Sequence, residues 1–115
     1  LTTFAGRIDR PQQAIEGNTV PKGYWIGHVD VINPDDYPAY MKAAQPAYEK
    51  YGAKFLVRGG KHDPVEGDAR SRHVVVEFES YEQAVACYRS PEYQAAAEIR
   101  RAHSNGDILI VEGAD

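Results

Sequence analysis

Between Gly23 and Val31 the chain reads GYWIGHVDV. Side chains there alternate between two faces, as in a strand: Trp25, Val29 and Val31 on one, Tyr24, Ile26, His28 and Asp30 on the other. The period then lengthens. Tyr37, Tyr40, Met41, Ala44, Ala47, Tyr48 and Tyr51 recur at helical spacing and define a buried stripe. Asn33 suits the N-cap of this helix, Pro34 its first position, and Asp35 and Asp36 its positive end. Pro46 should kink it and Gly52 should stop it.

Two strands follow, Lys54–Arg58 (KFLVR) and Arg72–Glu79 (RHVVVEFE). They are separated by Gly59-Gly60, which ends or bulges the first, and by a polar loop over Lys61–Ser71. Ser80-Tyr81-Glu82-Gln83 matches a capping box, and Ser90-Pro91-Glu92 repeats a start signal. A helix is therefore expected to break and restart there, running to about Ala102. Ser104-Asn105-Gly106 reads as a turn before a last strand, Asp107–Glu112.

The order β-α-β-β-α-β predicts an α+β, ferredoxin-like domain with a four-stranded antiparallel sheet over 21–113. Residues 1–20 carry no period and read as an N-terminal extension. Two helical segments cover only one sheet face. Strict alternation assigns that face Trp25, Val29, Val31, Phe55, Val57, Val74, Val76, Phe78, Leu109 and Val111. The other receives Tyr24, Ile26, Leu56, Val75, Ile108 and Ile110 among His28, Arg58, His73 and Glu77. So much aliphatic surface calls for a cover, and a second copy supplies it with two-fold symmetry. The expected assembly is a homodimer joined through its sheet faces, a dimeric α/β barrel.

Composition narrows the classes. The 115 residues are 43% hydrophobic and 26% charged, with net charge −4. No basic stripe favours nucleic acid, and no apolar run approaches the ~20 residues of a membrane span. No secretory pattern opens the chain, and a lone Cys87 forms no internal disulfide, so a cytoplasmic location is expected. No Cys/His zinc spacing, phosphate loop or nucleophile elbow is present, and no metal site is expected.

The segments PKGYWIGHVDV, YGAKFLVRGG, HVVVEF followed by SYEQA, CYRSPEYQ and GDILIVEG resemble the uncharacterised bacterial "domain of unknown function 1330" family. Gly52-Ala53 stands where that family usually has Gly-Gly. The resemblance implies a dimeric α/β barrel, alongside YciI-like proteins, antibiotic-biosynthesis monooxygenases, muconolactone isomerases and chlorite dismutases. No equivalent of the proximal histidine of haem-binding relatives is visible, and no cofactor is expected.

Several side chains carry candidate chemistry. His28, Arg58 and Glu77 are the expected catalytic group: Arg58 as an anion or carbonyl clamp, Glu77 as its bidentate partner or a base, and His28 as a proton shuttle. The alternative is an ion-pair network between sheets. Tyr40, Tyr88 and Tyr93, with His73, are the expected ligand-binding residues, the helix tyrosines turning their hydroxyls into a cleft between helices and sheet. The alternative is core packing. His62, Asp63 and Glu66 are too irregularly spaced for a metal site, and His103 reads as a helix-dipole or surface residue. Two function classes stay open. One is a cofactor-independent monooxygenase- or isomerase-like enzyme with a small-molecule cleft. The other is a non-catalytic dimeric module that binds a metabolite or a protein.

Overall fold

The strands form over stretches rich in β-branched and aromatic residues, and pairing then decides which way each residue faces. The computed structural model describes residues 20–114; apart from Val20, the expected extension lies outside them. Four strands, β1 (Gly23–Val31), β2 (Lys54–Arg58), β3 (Arg72–Phe78) and β4 (Ser104–Glu112), build one sheet in the order β2-β3-β1-β4. All neighbours are antiparallel. Helices α1 (Tyr37–Tyr51), α2 (Tyr81–Arg89) and α3 (Pro91–His103) complete the domain. This is the ferredoxin-like architecture.

Local signals set most boundaries. Ser80 Oγ accepts the Gln83 N–H at 3.0 Å and starts α2. Ser90 ends α2 and starts α3: its Oγ donates to the Cys87 carbonyl at 2.7 Å and accepts the Tyr93 N–H at 3.1 Å. Gly52 closes α1 at φ +70°, a conformation that favours glycine, with its N–H on the Tyr48 carbonyl. α1 starts later than expected. The Asn33 carbonyl accepts the N–H groups of Asp36 and Tyr37, so 33–36 form a turn, and the N-cap is Asp36. The Asn33 side chain instead meets His103 Nδ1 at 2.9 Å, and His103 is thereby part-buried. α1 runs through Pro46 to Tyr51 without interruption.

The core lies between one sheet face and the helices. Trp25, Val76 and Phe78 meet Tyr93, Cys87 and Ala84, while Ala44, Ala47, Ala96 and Ala97 are buried where helices approach. Small residues there leave room for the aromatic rings. Trp25 Nε1 donates to the Ala84 carbonyl at 2.8 Å, so the buried indole is satisfied.

Two strands face differently from strict alternation. In β4 the register pairs Ile110 with Trp25 and Ile108 with Gly27. Ile108 and Ile110 therefore turn to the helices, while Leu109 and Val111, 52% and 40% exposed, lie on the open face. The strand also begins at Ser104, where a turn was expected. In β2 the register shifts between Phe55 and Val57. This bulge at Leu56 pairs Val57 with Val75 on the open face and Arg58 with Val74 on the helix side. The irregularity lies three residues before Gly59-Gly60, where a bulge was expected.

Register also organises the open face into rows across the strands. Val111, Tyr24, Glu77 and Lys54 form one row; Leu109, Ile26, Val75 and Val57 form an apolar row spanning all four strands. Asp107, His28 and His73 form the third.

Candidate functional site

Helix periodicity brings three phenols together beneath the sheet. Tyr40 and Tyr48 lie two turns apart on α1, and Tyr93 enters from the first turn of α3, held there by the Ser90 cap. Tyr40 Oη lies 2.7 Å from Tyr93 Oη and 3.1 Å from Tyr48 Oη. Beside them a cavity of about 40 Å³ is walled by Trp25, Tyr37, Val76 and Ile108, with Arg100 at its edge.

Arg100 sits two turns after Tyr93 on α3 and is only 7% exposed. Its guanidinium carbon lies 5.8 Å from the centre of the Tyr40 ring, and its Nε has no hydrogen-bond partner. No Asp, Glu, His or Cys lines this cavity among the described residues.

Electrostatics follow from burial. Loss of water holds the Tyr40, Tyr48 and Tyr93 phenols well above the usual tyrosine range, and the Arg100 charge partly opposes this at Tyr40 and Tyr93. Burial works against the charge of Arg100, but the Tyr93 and Tyr40 phenols outweigh it and raise its pKa. Burial pushes the Cys87 thiol up to about 12. That thiol donates to the Ala47 carbonyl at 3.7 Å and is packed as a small apolar group.

The expected residues are divided between two faces. Tyr40 and Tyr93 line the cavity. Tyr88 stands behind them, its ring 5.4 Å from that of Tyr93 and 5.7 Å from that of Trp25, and does not line it. His28, His73 and Glu77 lie across the sheet on the open face, so one cleft lined by Tyr40, His28, Arg58 and Glu77 does not form. The expected Arg58–Glu77 pair is also absent. The Leu56 bulge rotates Arg58 to the helix side, where its guanidinium covers the Phe55 ring at 3.9 Å. Glu77 accepts instead from Tyr24 Oη at 3.0 Å.

The remaining open-face residues form a second group. His28 Nδ1 and His73 Nδ1 are 2.8 Å apart, and His62 packs its ring 4.6 Å from that of His73. Arg70 reaches back from the loop before β3 to pin Asp30 at 2.9 Å and Asp107 at 3.1 Å. His28, His73, Arg70, Asp30 and Asp107, though not His62, border an open basin of about 520 Å³. The Ser71 N–H holds the Asp30 carboxyl below its ordinary value; burial opposes this, and Arg70 assists it. Among the described residues no group of three or more His, Cys, Asp or Glu side chains is placed to hold a metal ion.

Arg72 has its Nε buried without a partner, with its guanidinium carbon 5.7 Å from the centre of the Tyr37 ring. A side chain at Gly59, where φ is +71°, would collide with that guanidinium. The Gly59 N–H is already bonded to the His73 carbonyl, so Arg58-Gly59-Gly60 ends the strand and makes way for Arg72.

Sequence reasoning did not assign a role to Arg100. Its spacing from Tyr93, Ala96 and Ala97 was the available signal, since all four share one helical stripe.

Comparison with known proteins agrees with this fold. No curated protein matches the chain. Among solved structures, a Rhodopseudomonas palustris protein of unknown function, RPA0582, superposes with TM-score 0.69 at 18% identity, covering 96% of this chain and 99% of that one. SnoaB, a cofactor-independent oxygenase from Streptomyces nogalater, superposes with TM-score 0.57 at 9% identity, covering 84% and 96%. A dimeric Bacteroides fragilis protein of unknown function and ferredoxin-like fold gives TM-score 0.50 at 15% identity, covering 79% and 95%. At these identities the likeness is one of fold. Residues 22–114 match the domain of unknown function DUF1330, and the chain belongs to that family.

Proposed function

We propose that this chain is a homodimeric small-molecule protein whose ligand site is the cleft walled by Tyr40, Tyr48, Tyr93 and Arg100. The observation that carries this reading is the convergence of three phenol hydroxyls and a buried guanidinium on one small cavity. Ordinary core packing does not need that concentration of polar groups away from water. An oxygenated ligand gives them acceptors, and the aromatic walls give it an apolar lining.

The same lining favours binding, or chemistry that needs only hydrogen-bond donation and positive charge. Proton abstraction at neutral pH needs a base, and the buried phenols stay neutral. An isomerase mechanism therefore fits less well than oxygenation, the class of chemistry named for SnoaB. The roles expected for His28 and Glu77 belong, on this reading, to the open face. The non-catalytic module stays as the second reading, favoured by that missing base.

The homodimer rests on the row Leu109–Ile26–Val75–Val57. A second copy laid on the same face buries this row in both chains. The ferredoxin-like neighbour described as dimeric supports a dimer.

A thermal-shift screen of small oxygenated compounds tests the cleft. Compounds that raise the Tm of the native chain but not of Tyr40→Phe are expected. Shifts that survive unchanged in both Tyr40→Phe and Tyr93→Phe, or a broad screen with no shift, would overturn it. Mass spectrometry of the bound compounds after incubation in air then separates turnover from binding.

A further inference from the structure

We infer that the ligand taken by this cleft is a small monocarboxylate, with Arg100 as its counter-ion and a cleft phenol as its second donor. The inference rests on the cleft being a ligand site and adds the charge and class of the occupant.

The first argument is charge. Arg100 is more than nine-tenths buried, yet it forms no ion pair among the described residues, and no carboxylate lines the cavity. A buried guanidinium without a counter-charge is strongly disfavoured. Its Nε–H is also without an acceptor. Arg72, behind the Tyr37 wall, adds a second buried Nε–H without a partner. This side of the sheet is thus positive and rich in unused donors.

The second argument is a proton count. Tyr40, Tyr48 and Tyr93 carry one hydroxyl proton each, and the two contacts among them use one proton apiece. One phenol proton is left for a further acceptor. A carboxylate accepts from several donors at once, matches the planar guanidinium, and makes charge-assisted bonds roughly twice as strong as neutral ones.

The third argument is size. A single water needs roughly 10–15 Å³ of such space. A cavity of about 40 Å³ is roughly three times that, so it takes only the smallest carboxylates and excludes a bulky polyanion. The walls beyond Arg100 are apolar or aromatic, so one charge on the ligand is enough.

The chain has one tryptophan, Trp25, and it lines the cavity, so its fluorescence reports occupancy directly. The full chain is titrated with formate and acetate, and with formamide and acetamide as neutral counterparts of matched shape. Saturable fluorescence changes are expected with at least one acid, at least tenfold tighter than with its amide. Arg100→Gln should remove that preference and Arg100→Lys should restore part of it. The comparison of acid with amide on the native chain needs no variant, so poor folding of Arg100→Gln leaves the test intact. Equal binding of acid and amide overturns the carboxylate while leaving the cleft as a ligand site. Chloride matching both acids overturns it in favour of a general anion site. No response to these probes overturns the carboxylate class, and the neutral-compound screen above then decides the cleft itself.

Discussion

Tyr40 and Tyr93 come from different helices, yet their hydroxyl oxygens meet at 2.7 Å inside the domain. This contact ties α1 to α3 through polar atoms in an otherwise apolar layer. Removing one hydroxyl leaves the other without its partner, a loss of roughly 1–3 kcal/mol. Removing both costs less than the sum, because the shared contact is lost only once, although Tyr48 Oη still loses Tyr40. Chemical denaturation of Tyr40→Phe, Tyr93→Phe and the double variant is expected to show this non-additivity.

Alkaline titration should find the same cluster. Tyr40, Tyr48 and Tyr93 have native pKa values raised by burial, so the stability they contribute is complete below the unfolded tyrosine value of ~10. It is lost as pH rises toward their native values. Phenolate absorbance should therefore reach its full amplitude only as the protein unfolds. Complete ionisation of all eight tyrosines in the folded chain would contradict the burial of these three.

Arg58 and Glu77 are expected to behave independently. They lie on opposite sides of the sheet, with Arg58 on Phe55 and Glu77 on Tyr24. In a double-mutant cycle of Arg58→Ala and Glu77→Ala the two stability changes should add to within ~0.5 kcal/mol. A larger coupling in sedimentation-checked dimer would mean that the two side chains meet across the assembly.

Leu109→Glu places a charge at the β4 end of the apolar row. Sedimentation of the native chain should give twice its 12.8 kDa mass. The variant should sediment as a monomer at micromolar concentration, with its far-ultraviolet circular dichroism unchanged. A native chain that sediments as a monomer would remove the argument for a covered sheet.

Much of the fold was legible because its signals are local. Ser80, Ser90 and Gly52 each act within a few residues of themselves, so their positions alone mark the helix ends. The facing of β4 was not legible in the same way. Ile108, Leu109, Ile110 and Val111 are apolar at both parities, so the segment fits either orientation, and only pairing with Trp25 and Gly27 chooses one. In β2 a single bulge residue reversed Val57 and Arg58, and nothing in KFLVR marks Leu56 as the extra residue. The candidate site suffered from the same cause. His28, Arg58 and Glu77 were grouped by parity, and parity failed at Arg58. The tyrosines were placed correctly on their helices, but which of them share a cavity depends on how α1 and α3 cross.

Ser90 accepts a proton from the Tyr93 N–H and gives one to the Cys87 carbonyl, while almost wholly enclosed. The position therefore requires an atom that can play both parts in a small space. Aspartate, which caps exposed helices as well as serine does, has no proton for the Cys87 carbonyl; alanine has neither function. Since the same oxygen fixes the first turn of α3, the choice of residue there also decides where the Tyr93 hydroxyl arrives. The arrangement of phenols around the cavity is thus contingent on one hydroxyl that does not line it.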